Sequence, residues 1–167
     1  MPLILGLRVN TLPWGLCNHL LGDLFMESWL LRRQAGANLD FQGIPITVEH
    51  AKGSTRTGAD PDGKEWSRKM LCDYGYIKET TPAKGDGEDL DVYVGPDKDA
   101  PDAFVVEQLK DDGEFDEFKV ILGINSEDEA RKLYLGHYPK GWESNIGSIF
   151  SVPVERLKDF VDGHDDQ

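Results

Sequence analysis

The chain has 167 residues, a formal net charge of −13 at pH 7, 39% hydrophobic residues and four Trp. That is enough apolar material for one domain with a core, and it excludes an intrinsically disordered chain. So negative a balance argues against direct binding to nucleic acid or to an anionic membrane surface.

Much of the charge is local: between Lys84 and Phe118 there are 13 acids and 3 bases. The plain reading of such a run is a solvated face. Cys17 and Cys72 are too few and too far apart for a disulfide framework or a zinc site, and they suit a reducing compartment. Asn18, His19, Asp23 and Glu27 interrupt the one stretch apolar enough to suggest a membrane span. No clear secretory leader precedes it, so the expected location is cytoplasmic. Homo-oligomerisation is compatible with the sequence but not specified by it.

Residues 1–40 form an extension whose role the sequence leaves open. Leu16, Leu20, Leu24 and the run from Met26 to Leu31 give it a partly helical pattern. A domain is expected over 41–162, followed by a short acidic tail at 163–167. Ile44–Glu49 alternates as a strand should, and Gly58–Gly63 is a hairpin turn ending in Asp-Gly, with Trp66–Met70 as the returning strand. Asp91–Val94, Ala103–Leu109 and Glu117–Ile124 are further strand candidates, with a turn at Asp111-Asp112-Gly113 between the last two. Ser126 with Glu129 forms a capping box that opens a helix through about Leu135, and Val154–Val161 is a final short helix. Short strands followed by helices suggest a small β-barrel with packed helices.

The chemistry concentrates in Asp86-Gly87-Glu88-Asp89-Leu90-Asp91, which sets three acids on a glycine-containing turn that runs into an apolar strand. Clustered carboxylates repel one another and resist desolvation, a penalty that a hard divalent cation removes. A helix-loop-helix calcium site wants an acid or amide at the fifth position and glycine at the sixth, where this turn has Leu90 and Asp91. Asp91 opens a Val-Tyr-Val strand and is poorly placed there unless something pairs with it. Mg2+ is the expected ion.

Taken together, Asp73-Tyr74-Gly75-Tyr76-Ile77 and Asp86-Gly87-Glu88-Asp89-Leu90-Asp91-Val92 resemble the signature of the soluble, metal-dependent inorganic pyrophosphatases. The resemblance is closest to the pyrophosphatase-like domains of phage and mobile-element proteins. It includes Glu49 through Ser54 and the turn Arg56-Thr57-Gly58-Ala59-Asp60-Pro61-Asp62-Gly63, and it covers roughly residues 41 to 160. It implies an α+β protein on a small closed five-stranded β-barrel (OB-like, of the pyrophosphatase type) with flanking helices. The implied activity is Mg2+-dependent hydrolysis of a phosphoanhydride, most simply pyrophosphate to two phosphates. The rival reading is a catalytically reduced pyrophosphatase-like binding or interaction module of phage or mobile-element origin.

Carried over by position, the resemblance makes Asp86, Glu88, Asp91, Asp112, Glu117 and Glu49 the metal-site acids. Glu88 and Glu117 depart from the family's Asp. Glu88 is also the implied proton acceptor, and Tyr74 an implied hydrogen-bonding site residue. Arg56, Lys69, Lys119, Tyr138 and Lys140 would bind phosphate, with Lys64 and Arg68 competing with Lys69 for one role. Each has a structural alternative: Tyr74 and Tyr76 as packing residues, Lys119 as a solvent-facing strand residue, Asp60 and Asp62 as turn residues. Trp66 and Trp142 are expected in the core, Cys72 as a small buried residue, and His50, His137 and His164 show no metal-ligand spacing.

Overall fold

The computed structural model describes residues 36–80 and 88–161. The helical reading of the N-terminal extension, the acidic tail and Asp86 therefore lie outside the described residues.

Nine strands and two α-helices follow one another in the described residues: β1 (Asn38–Phe41), β2 (Ile44–His50), β3 (Thr55–Ala59), β4 (Glu65–Lys69), β5 (Asp73–Ile77), β6 (Leu90–Val94), β7 (Asp102–Leu109), β8 (Phe115–Leu122), α1 (Glu127–Leu135), β9 (Ile146–Pro153) and α2 (Val154–Val161). A single 3-10 turn at Trp142–Asn145 precedes β9. Seven strands form one mixed sheet in the order β1-β2-β5-β6-β8-β7-β9, and β3 pairs only with β4 in a separate two-stranded sheet. The β6–β8 pair is parallel.

This corrects the expected closed five-stranded barrel. Closure needs the two edges of a sheet to hydrogen-bond to each other, but here β1 and β9 are the edges and are not neighbours. The β3–β4 hairpin, which a barrel would have absorbed, stands apart as its own sheet. The architecture is predominantly β, which also corrects the expected α+β class: nine strands against two short helices leave the sheets as the bulk of the described fold.

The local rules behind the strands hold. Ile44, Ile46 and Val48 are buried on alternate positions of β2, as period-two patterning requires. In the β3–β4 turn Gly63 adopts φ +83°, its N–H bonds to Asp60 O at 2.8 Å, and the Lys64 N–H bonds to Asp62 Oδ1 at 3.3 Å. Asp60 and Asp62 are thus turn-forming residues. Ser126 caps α1 by accepting from Glu129 N–H at 3.3 Å, while the Glu129 carboxylate reaches back to Asn125 N–H at 3.3 Å. The reciprocal arm of the capping box lands one residue early.

One core gathers Cys72, Tyr74, Tyr93, Phe104, Val106 and Ile121 of the sheet region under Ala130 and Tyr134 of α1. Side chains alternate across β6, so Asp91 and Tyr93 share a face while Val92 and Val94 take the other. The site is built on the Asp91–Tyr93 face. Among the described residues no helix is long and apolar enough to cross a membrane.

Candidate active site

Asp91 is fixed by its strand neighbours. In the parallel β6–β8 register its Cα partner is Lys119, and across β5–β6 it faces Tyr76. Tyr74 O–H donates to Asp91 Oδ2 at 2.5 Å, and Lys119 Nζ donates to the same oxygen. Both bonds land on Oδ2, and among the described residues no hydrogen bond reaches Oδ1 of this partly exposed carboxylate. Lys119 Nζ also pairs with Glu117 Oε1 at 2.8 Å.

Lys119 is only 4% exposed, which settles its place on the buried face rather than in solvent. Burial alone lowers an ammonium pKa. Here the facing Tyr74 and Tyr138, with the carboxylates of Asp91 and Glu117, outweigh it and hold the group well above the ordinary lysine value. Tyr74 is raised as well, first by burial and then by the Asp91 charge, so it is a neutral donor. It packs in the core and serves the site at the same time. Cys72 is pushed up to about 12 by burial, so its thiol stays protonated and inert.

The network extends along β7. Gln108 Nε2 donates to Glu117 Oε1 at 3.0 Å and to Asp116 Oδ2 at 2.9 Å. Its carbonyl accepts from Tyr134 at 2.6 Å and Tyr138 at 3.2 Å, and the Tyr138 and Tyr93 hydroxyls meet at 3.3 Å. Gln108 thereby fixes the head of Glu117 to the aromatic end of α1. A lone amide in an alternating strand carries no sequence signal of that role.

The hairpin supplies the cations. Arg56 and Arg68 are direct partners across β3–β4. Arg56 lies 4.6 Å from the Tyr74 ring centroid, and Arg68 lies 4.4 Å from Trp66 and 4.7 Å from Tyr138. Neither guanidinium makes a salt bridge among the described residues. For Arg56, burial works against the charge, but Tyr74, Tyr93 and Asp91 more than offset it and raise its pKa. Strand alternation puts Arg68 on the same half-buried side as Trp66 and leaves Lys69 exposed on the opposite side. Arg68, one of three competing cations in the sequence, is therefore the one placed beside Arg56.

The other expected site residues stand as follows. Glu88 is exposed at the bend before β6, and Glu49 is exposed at a bulge in β2 between Val48 and His50. Asp112 sits in the β7–β8 turn, where Oδ1 accepts from Glu114 N–H at 3.0 Å, and Lys140 is exposed in the turn after α1. Asp89 is structural: its Oδ1 accepts from Thr80 N–H at 2.9 Å, and Thr80 Oγ1 accepts from Leu90 N–H at 3.0 Å. These bonds tie Thr80, after β5, to the start of β6. Trp66 and Trp142, expected in the core, are half-buried and line a cleft instead.

Among the described residues no three His, Cys, Asp or Glu groups converge as a metal site, so Glu49, Glu88 and Asp112 do not join Asp91 and Glu117. The donor chemistry still fits a hard cation. Mg2+ usually takes one or two carboxylates and completes its shell with water and phosphate oxygens. Asp91 and Glu117 are carboxylates brought together on one face by the Lys119 ammonium.

A partly exposed pair of carboxylates braced by a buried lysine stands beside two arginines that make no salt bridge among the described residues, an arrangement compatible with a phosphate compound. The inorganic pyrophosphatase family model matches residues 34–162, and the chain belongs to that family. No curated protein and no solved structure matches it. Membership implies a small-molecule phosphate substrate and a hydrolase of the pyrophosphatase type.

Proposed function

We propose that this protein hydrolyses a phosphoanhydride with Mg2+, converting inorganic pyrophosphate to two phosphates. The observation that carries the reading is the direct opposition of Arg56 and Arg68, both stacked on aromatic rings and neither salt-bridged among the described residues, next to the Asp91–Lys119–Glu117 cluster. Like charges facing each other across a hairpin cost stability, and an anion bound between them reverses that cost.

Asp91 and Glu117 would hold the ion, with Asp86 as the further acid expected from the sequence. When bound, Mg2+ supplies positive charge to the phosphate oxygens and acidifies water. Arg56 and Arg68 bind phosphoryl oxygens through their forked donors, with Tyr138 adding a hydroxyl and Lys69 and Lys140 adding longer-range charge. Lys119 pairs with both Asp91 and Glu117, and Tyr74 fixes the orientation of Asp91. Glu88 accepts a proton from the attacking water as its oxygen bonds to phosphorus. The bridging P–O bond then breaks, and its electron pair leaves with the second phosphate.

Phosphate release from pyrophosphate, followed with Mg2+ and again with excess chelator, tests this. Release that depends on Mg2+ supports the reading; a folded protein that releases none under either condition sinks it.

A further inference from the structure

A cleft of about 870 Å³ opens beside Arg68, with Trp66, Leu71, Tyr138 and Trp142 among its walls. Clefts of roughly 300–1,000 Å³ with apolar and aromatic linings are those that hold organic ligands of drug size. Inorganic pyrophosphate is small and wholly polar, and it has no use for the apolar faces of Trp66, Leu71 and Trp142.

The aromatic wall is preorganised. Trp66 carries the Arg68 guanidinium at 4.4 Å, the same guanidinium lies 4.7 Å from the Tyr138 centroid, and Tyr138 stacks on Trp142 at 4.5 Å with 10° between the planes. Trp142 Nε1 donates to Tyr134 O–H at 3.1 Å, which fixes the indole. The stack runs from a phosphate-facing arginine to a flat indole. Beside it, Leu71 is 47% exposed, an apolar side chain that a ligand would cover.

Charge decides what enters. The cleft is lined by Asp60, Asp62 and Asp111 as well as Lys64, Arg68 and Lys69. Acids and bases balance, so the cleft is no second phosphate subsite. It suits a neutral planar group tethered to an anion at the arginines, and carboxylates at its wall can accept from sugar hydroxyls and exocyclic amines.

We infer that this cleft binds the base of a nucleoside polyphosphate whose phosphoanhydride lies at Arg56 and Arg68, making such nucleotides the preferred substrate class. The inference rests on the phosphoanhydride reading above for its reacting end. For a nucleoside diphosphate, water oxygen bonds to the terminal phosphorus, the bridging P–O bond breaks, and the nucleoside monophosphate leaves with the electron pair. The water proton passes to Glu88.

The test uses the full chain with Mg2+ and two non-hydrolysable probes, α,β-methylene-ADP and methylenediphosphonate, the second lacking a nucleoside. Affinities are read by tryptophan fluorescence or calorimetry. The nucleotide probe should bind at least about tenfold tighter, a step that stacking of one base readily supplies. Trp142→Ala should erase that preference and Trp142→Phe should keep it. Leu71→Arg, at an exposed position, should also weaken the nucleotide probe and serves if Trp142→Ala fails to fold. Equal or weaker binding of the nucleotide probe, or a preference that survives both Trp142→Ala and Leu71→Arg, overturns the inference. Phosphate release from pyrophosphate in the same preparation separates the two claims. Turnover without nucleotide preference leaves the pyrophosphatase reading and removes this one. A base-dependent affinity without turnover supports the cleft and removes that reading.

Discussion

Asp91 and Lys119 are Cα partners on the parallel pair β6–β8, and the Lys119 ammonium bridges Asp91 and Glu117 from a position only 4% exposed. A cation placed there by backbone register does not need a flexible loop to find its acids. It also makes the two carboxylates depend on one another.

Replacing Lys119 with Met leaves Asp91 and Glu117 close together without their shared cation. Removing one partner of a largely buried pair costs about 3–5 kcal/mol, and exposure of the acids puts the expected loss near the lower end, about 3 kcal/mol. Urea unfolding at neutral pH measures it. Because the folded-state pKa of Lys119 is raised, its contribution is complete below the unfolded lysine value of about 10.4 and is lost as pH climbs through the folded value. The gap between wild type and Lys119→Met should therefore narrow only in strong alkali.

Gly75 lies between the two tyrosines of β5, where a Cβ would sit 1.8 Å from the Thr47 carbonyl oxygen on β2. That oxygen is backbone and cannot swing away. Gly75→Ala should cost at least about 3 kcal/mol, at the top of the overpacking range, and should displace Tyr74 from Asp91. Thermal unfolding and near-ultraviolet circular dichroism report both effects.

His137 gives the fold an acid-side limit. Its Nε2 accepts from Leu71 N–H at 3.0 Å, and Nδ1 lies 2.7 Å from Leu133 O, an arrangement only the neutral ring satisfies. Burial lowers its pKa, with Arg68 and Arg56 adding to the effect against the Leu133 carbonyl. For a histidine with a lowered folded value, stability is complete above the unfolded value of about 6.5 and falls as pH drops toward the folded one. Urea midpoints at pH 7.5 and 5.5 should show this loss, and His137→Gln should flatten it.

Arg68 should matter to substrate and little to folding. Arg68→Met should lower kcat/KM for pyrophosphate by roughly tenfold to a hundredfold, the range for losing a hydrogen bond to a charged group. Its unfolding free energy should move by less than about 1 kcal/mol, since the lost ring contacts are offset by relief of the repulsion from Arg56. Methylenediphosphonate with Mg2+ should raise the melting temperature of the wild type far more than that of this variant.

What the sequence revealed and what it hid divide along the range of the interactions. Ile44–Glu49, the Asp-Gly turn before Trp66, the Asp91–Val94 strand and the Ser126 cap are set by neighbours in the chain, and each stands within a residue or so of its expected place. The parallel pairing of Asp91 with Lys119 depends on strands far apart in sequence, as does the refusal of β1 and β9 to meet, so an open sheet was not distinguishable from a barrel. β9 escaped notice because Ile146, Ile149 and Val152 recur every third residue, the pattern of neither a half-buried strand nor a long helix. Asp91 was legible because an acid opening an apolar strand demands a partner. Arg68 was ambiguous among three cations until the hairpin register chose its side, and Gln108 had no local signature at all.

In the proposed function Asp91 works chemically, as a carboxylate that would engage Mg2+ while Tyr74 and Lys119 hold it. Asp91→Asn keeps the shape and both hydrogen-bonding positions but removes the charge. Steady-state phosphate release from pyrophosphate at saturating Mg2+ should fall at least about a hundredfold in this variant, as expected when a metal-binding carboxylate is lost. A folded Asp91→Asn protein that turns over pyrophosphate at the wild-type rate would show that Asp91 has no part in the chemistry.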